Sequence, residues 1–188
     1  MSDKNTNNKV EEKEPIFTKR DIVEWIVLIA GAICAAVLLN TFVIVNAIIP
    51  SGSMETTIMT GDRIFGNRLA YKSEGPQRGD IVIFKYPDDE SQLFIKRVIG
   101  LPGDTLEVKS GLVYINGSDT PLDETYVKEE PLGDYGPVLV PEGAYFMMGD
   151  NRNNSRDSRL WINHFVYKDK ILGKALVRYY PHVGKIEN

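Results

Sequence analysis

The sequence predicts a mostly β fold: a small antiparallel β domain behind one N-terminal transmembrane helix. Two observations predict it. One is an apolar run from Trp25 to Leu39 with no charge or strong polar group, which resumes through Phe42–Val45 and Ala47–Ile49. The other is a series of short stretches after residue 50, rich in β-branched and aromatic residues and separated by turn signals, with no long amphipathic helical pattern.

Residues 1–21 carry five Lys/Arg and five Asp/Glu and few apolar residues, so a disordered tail is expected there. Residues 22–45 are long enough to cross a bilayer as a helix, for which roughly 20 residues suffice. Glu24 near the start can reach the headgroups and Trp25 suits the interface. A core helix would not be so uniformly apolar, and the run is long for the h-region of a cleaved signal peptide. Lys4, Lys9, Lys13, Lys19 and Arg20 precede the span, and the first basic residue after it is Arg63. The positive-inside rule therefore predicts a cytoplasmic N-terminus and an extracytoplasmic domain over 46–188.

In that domain Ile81–Tyr86, Leu93–Ile99, Thr105–Val108, Leu112–Ile115, Ala144–Met148 and Ala175–Tyr180 are predicted strands. Arg78-Gly79-Asp80, Gly100-Leu101-Pro102-Gly103-Asp104, Ser110-Gly111 and Asn116-Gly117 are the turns between them. Only Ser158–Phe165 has the pattern of a short helix. The 188 residues predict one such domain, not a multidomain enzyme or a multi-span transporter. A net charge of −4 argues against nucleic acid as a partner. The single cysteine, Cys34, lies in the apolar run, which excludes an intrachain disulfide or a cysteine-based zinc site. No cofactor is expected.

Directly after the span comes Ile48-Ile49-Pro50-Ser51-Gly52-Ser53-Met54. Taken alone it is a juxtamembrane turn. A nucleophilic serine needs a base, and neither His164 nor His182 sits in a motif. The lipase elbow fails, because Ser51 and Glu55 stand where glycines are required; S-x-x-K fails, because Thr56 holds the lysine position. Lys96 remains. Strand alternation gives it the face of Phe94 and Val98, where an apolar environment would disfavour the ammonium. A drop of about 2–3 units from the reference of about 10.4 would make it a usable base; the alternative is an amine that snorkels to water.

The polar segment Met148–Arg159 follows a β-rich run. An EF-hand count from Asp150 puts Arg152 and Ser155 at the third and sixth positions, which a calcium loop does not tolerate. A polar network bracing neighbouring strands fits better. The sequons at Asn116 and Asn153 matter only in a glycosylating compartment.

Together these segments resemble the type I signal peptidase (leader peptidase) family, in particular its small single-anchor Gram-positive members. Ile49–Met54 resembles the nucleophile box. Gly61-Asp62-Arg63 and Arg78–Phe84 resemble structural boxes, Phe94–Asp104 the general-base box, and Met148–Arg152 with Asn154-Ser155 and Asp157-Ser158-Arg159 the last box. The resemblance implies a Ser/Lys dyad with Ser53 as nucleophile and Lys96 as general base. It implies an oxyanion hole from the Ser53 N–H and the Ser51 hydroxyl, and a Ser155 that hydrogen-bonds and orients Lys96. Asp157 with Arg159, and Asp150 with Arg152, are expected to hold the loop carrying Ser155, and Arg97 is expected to be structural. Ile49, Met54, Ile58, Phe94 and Ile95 match positions that line shallow pockets, which would restrict substrates to small side chains (Ala-x-Ala). Exposed apolar surface around Met54 is a candidate for contact with lipid.

Two positions depart from the family pattern: Thr56 stands where a proline is common, and Asn153 where an aspartate is usual. The self-cleaving SOS repressors share the β architecture and a similar dyad, but an anchor here occupies the place of their DNA-binding domain. The implied partners are secretory preproteins emerging from the export machinery and the lipid bilayer of the cell membrane. Two alternatives are a relative specialised for one substrate such as a pilin, and an inactive anchored β module that binds polypeptides.

Overall fold

The computed structural model describes residues 18–187, and the expected tail lies outside them up to residue 17. The chain divides into two units between Leu38 and Leu39. The first is dominated by helix α1, Lys19–Phe42, which buries none of its residues. Thr18 caps it reciprocally: its hydroxyl accepts from the Asp21 N–H at 3.3 Å while its own N–H donates to the Asp21 carboxylate at 2.8 Å. At 1.5 Å per residue the 24 residues reach about 36 Å, enough to cross a bilayer. The helix ends at Phe42. Ile44 and Val45, which the sequence analysis places in the span, belong to a strand, because this β-branched run finds a partner strand to pair with.

The second unit is built from β1 (Ile44–Ile48), β2 (Arg63–Asn67), β3 (Ile81–Tyr86), β4 (Asp89–Gly100), β5 (Thr105–Lys109), β6 (Leu112–Ile115), β7 (Tyr135–Leu139), β8 (Ala144–Met148), β9 (Val166–Tyr167), β10 (Ile171–Tyr180) and β11 (Gly184–Lys185). Every pairing is antiparallel. The main sheet has the order β1-β2-β10-β3-β4-β8-β9, with β11 on β10, and a second sheet has the order β6-β5-β7. The mostly antiparallel β class is thus the observed one.

β3 is buried on both faces, which is why it reads as a continuous apolar run. Ile81 and Ile83 pack with Val45, Ile64 and Ala175, while Val82 and Phe84 pack with Val98, Met147 and Trp161. A third cluster joins Ile99, Leu106, Val113 and Phe146 between β4, β5, β6 and β8.

Strands β1, β2, β7, β9 and β11 lie outside the strands predicted from the sequence. β1 is hidden because its apolar residues follow those of the helix after only Asn40 and Thr41. β7 carries Gly136-Pro137, which a strand tolerates because β7 is an edge of its sheet. The helix expected over Ser158–Phe165 does not form. One turn closes where Leu160 and Trp161 donate to the Asp157 carbonyl, but the next two N–H groups, of Ile162 and Asn163, donate to the Asp88 carboxylate and so leave no helical ladder.

Candidate active site

Three segments converge at Lys96, past the middle of β4. β3 pairs with one side of β4, setting Val82 opposite Lys96. On its other side β4 pairs with β8 only from Arg97 onward, opposite Met148, so at Lys96 that side carries no strand. The segment carrying Ser53 and the loop following β8 meet there.

The segment from Ile49 to Asp62 is a closed loop. The Ile49 N–H donates to the Asp62 carbonyl at 2.9 Å and the Gly61 N–H to the Ile49 carbonyl at 2.8 Å. Ile49, Met54 and Ile58 anchor it in the core beside Ile64 and Ile81. This corrects two expectations. Met54 and Ile58 are fully buried and face the core, not a groove, and Met54 offers no surface to lipid. The exposed apolar residues in this region are Ile48 and Met59.

Ser53 is almost wholly buried in that loop, and the Lys96 Nζ lies 2.5 Å from its Oγ. Lys96 is 3 % exposed, so its amine does not snorkel. Its other hydrogen bond is to the Ile95 carbonyl at 3.1 Å, and the Phe94 ring lies 5.6 Å away. Burial pushes the ammonium down from 10.5 to about 8, against a smaller opposing pull from Asp157 and Asp150. At that value roughly a fifth of the amine is neutral near pH 7.4.

A groove of about 670 Å³ opens over this pair, lined among others by Ile49, Ser51, Ser53, Phe94, Ile95, Lys96 and Ser155. Ser155 is buried, but its Oγ has no hydrogen-bond partner, so the expected bond to Lys96 is not made. The amine is directed to Ser53 and Ile95, and the Ser155 hydroxyl instead sits over Gly149. A Cβ at Gly149 would come within 2.3 Å of both Ser155 Oγ and the Ser53 carbonyl. Only glycine lets the loop approach the serine segment this closely.

The ion pairs around the loop differ in part from the expected ones. Asp157 pairs with Arg159 at 2.8 Å and also accepts the Gly149 N–H at 3.0 Å. Asp150 does not pair with Arg152. Its carboxylate takes both prongs of Arg97, at 2.8 and 2.7 Å, and the Thr57 hydroxyl at 2.6 Å. The cause is strand register: opposite Met148, Arg97 lies beside the start of the loop. Arg152 turns instead to Glu124, with bonds of 2.8 and 2.5 Å, and both guanidinium groups lie against the Tyr126 ring. Asn153 accepts the Leu132 N–H and donates to the Glu130 carbonyl, a pairing that an aspartate could not complete. Glu124, Tyr126 and Thr57 carry no motif, and only the fold reveals their part. Asn151 belongs to the last box, where the resemblance assigns it no role. Its carboxamide donates to the Gly52 carbonyl at 2.9 Å.

The family description "Signal peptidase, peptidase S26" matches residues 22–180. A probable signal peptidase I-2 of Synechocystis sp. is 44% identical over 155 residues, covering 80% of this chain and 69% of that protein. Signal peptidase I S of Bacillus subtilis is 35% identical over 181 residues, covering 90% of this chain and 95% of its own. Among solved structures, a signal peptidase I from Enterococcus faecalis aligns with a TM-score of 0.46 at 36% identity, covering 54% of this chain and 97% of that one.

Proposed function

The chain belongs to the signal peptidase family, peptidase S26, and on that premise we propose that this serine peptidase removes N-terminal signal peptides from exported preproteins by a Ser/Lys dyad. The observation that carries the reading is the buried Lys96 amine 2.5 Å from the Ser53 hydroxyl.

In the neutral form Lys96 accepts the Ser53 proton as Oγ attacks the scissile carbonyl. The Ser53 N–H and the Ser51 hydroxyl donate to the oxyanion. Lys96 then returns the proton to the leaving amine, which departs as the new N-terminus of the mature protein. Water, deprotonated by the same amine, attacks the acyl-enzyme and frees Ser53. Asp150 and Asp157 keep the loop folded through Arg97 and Arg159, and Ser155 bounds the space beside the amine.

The substrate lies extended in the groove, where alternate side chains enter pockets. Ile49, Phe94 and Ile95 line it, and shallow apolar walls select Ala-x-Ala. Residues 22–42 of helix α1 anchor the chain in the cell membrane, with residues 1–21 cytoplasmic and the strand-built unit outside, where preproteins emerge from the export machinery. The charge asymmetry about the span supports that orientation.

The test is cleavage of an Ala-x-Ala preprotein in detergent by the wild type and Ser53→Ala, with sequencing of the new N-terminus. A cut after the second Ala by the wild type alone is expected. Equal cutting by both would remove Ser53 as the nucleophile.

A further inference from the structure

The dyad supplies a nucleophile and a base, but the rate of acyl transfer depends as much on donors aimed at the developing oxyanion. We propose that Asn151 is a positioning residue for that donor: its carboxamide fixes the plane of the Gly52–Ser53 peptide and thereby the direction of the Ser53 N–H. The proposal rests on the Ser53 nucleophile put forward above.

The Gly52 carbonyl accepts two hydrogen bonds, from Asn151 Nδ2 at 2.9 Å and from the Glu55 N–H at 3.1 Å. The peptide it belongs to is trans. A trans peptide is planar, and its N–H points opposite to its C=O. Two donors gripping the carbonyl therefore aim the Ser53 N–H to the far side, away from Asn151. The next peptide is held from the same residue, since the Asn151 N–H donates to the Ser53 carbonyl at 3.2 Å. Asn151 thus grips the backbone on both sides of the nucleophile.

Asn151 is fixed in turn. The Asn154 N–H donates to its carbonyl at 3.1 Å, closing the short 3₁₀ turn over Arg152–Asn154, and Gly149 lies against the Ser53 carbonyl just before it. Donation to the Gly52 carbonyl has a second effect. It polarises the amide, and hydrogen bonds in such chains strengthen one another by about 10–30% per bond. The Ser53 N–H becomes a better donor where negative charge develops.

The chemistry requires an amide here. An aspartate has the same shape, but an ionised carboxylate offers no donor and would repel the Gly52 oxygen. Asn151 makes no hydrogen bond to Lys96 or to Ser53 Oγ, whose contact is with each other. Its influence should therefore reach the transition state without passing through the general base.

The experiment uses the full chain in detergent with Asn151→Asp and Asn151→Ala, beside the wild type and Ser53→Ala. It reads kcat and KM for an Ala-x-Ala preprotein, the Ki of a peptide boronate that forms a tetrahedral adduct on a serine, and the pH profile. Loss of an oxyanion donor costs about 100- to 1000-fold, so misaiming one should lower kcat about 10- to 100-fold in Asn151→Asp. KM should stay nearly constant, the boronate Ki should rise in step with the loss in kcat, and the apparent pKa of the profile should not move.

Near-wild-type kcat in either folded variant would overturn the proposal. So would a loss carried by KM, or by a displaced pH profile with boronate affinity intact. Should Asn151→Asp fail to fold, Asn151→Ala carries the same readings. A Ser53→Ala enzyme that still cuts would overturn the dyad reading and this proposal together. An inactive Ser53→Ala beside unimpaired Asn151 variants would overturn only the role of Asn151.

Discussion

Adjacent residues on β4 bury a cation in opposite ways. Arg97 is fully buried and meets a carboxylate in bidentate register, with the Tyr126 ring 3.9 Å from its guanidinium carbon. Lys96, pointing to the other face, is almost as buried, but its contacts are a hydroxyl and a carbonyl, both neutral. The first arrangement satisfies the charge and fixes two strands and a loop. The second leaves the charge under pressure to dissociate, and burial takes the amine down to about 8. The contrast shows one strand burying two cations to different ends: where an anion is supplied the charge is satisfied, and where it is withheld the amine is pushed toward its neutral form.

The sharpest way to break this comparison is Lys96→Met, which keeps the volume and removes the amine. Activity should fall by about a thousandfold or more, the scale of general-base catalysis. The folded protein should nonetheless become more stable near neutral pH, because holding the ammonium in that site costs about 3 kcal/mol for a displacement from 10.5 to about 8. The penalty is fully present below about pH 8. It fades as pH rises toward 10.5, where the unfolded chain holds the extra proton. Denaturant unfolding of both proteins at pH 7 and pH 10 should show the advantage of Lys96→Met shrink; an equal advantage at both would refute it.

On the opposite face the matching change is Asp150→Asn. It strands the Arg97 guanidinium in the core, and loss of one partner of a buried pair costs about 3–5 kcal/mol. Chemical denaturation should show a loss of that size, and no loss would mean that Arg97 finds another acceptor.

Wild-type kcat/KM should rise about tenfold between pH 7 and pH 9, following deprotonation of an amine near 8. A flat profile over that interval would separate Lys96 from the rate-limiting proton transfer. The smallest effect belongs to an ion pair at the surface. Lys170 and Glu90 approach to 2.6 Å but are partly exposed. Lys170→Ala should leave the midpoint of the same denaturation assay almost unmoved.

What could be read in the sequence follows the same division. The helix and strands β3, β4, β5, β6 and β8 announce themselves by dense apolar or alternating residues. Phe94 and Val98 similarly flag the buried face that Lys96 shares. The two-residue strands β9 and β11 do not, because each is too short to show a pattern and is defined only by pairing with a neighbouring strand. The ion pairs around the loop escaped for a related reason. The family resemblance implies Asp150 with Arg152, whereas cross-strand register brings in Arg97, and Glu124 arrives from a long connection. Met54 and Ile58 were assigned to pockets from their positions in a motif, but the loop bends so that both fill the core.

The order of strands also has a consequence for when the protease comes into being. β1 and β2 precede the two strands β3 and β4 in the chain, yet in the sheet β10 stands between the pairs. The ribosome supplies that keystone late, at Ile171–Tyr180. Until it arrives, the hairpin that leads into Ser53 and the hairpin that bears Lys96 have no shared strand to align them. Alignment of the serine with the lysine thereby waits on a strand that lies far downstream of both.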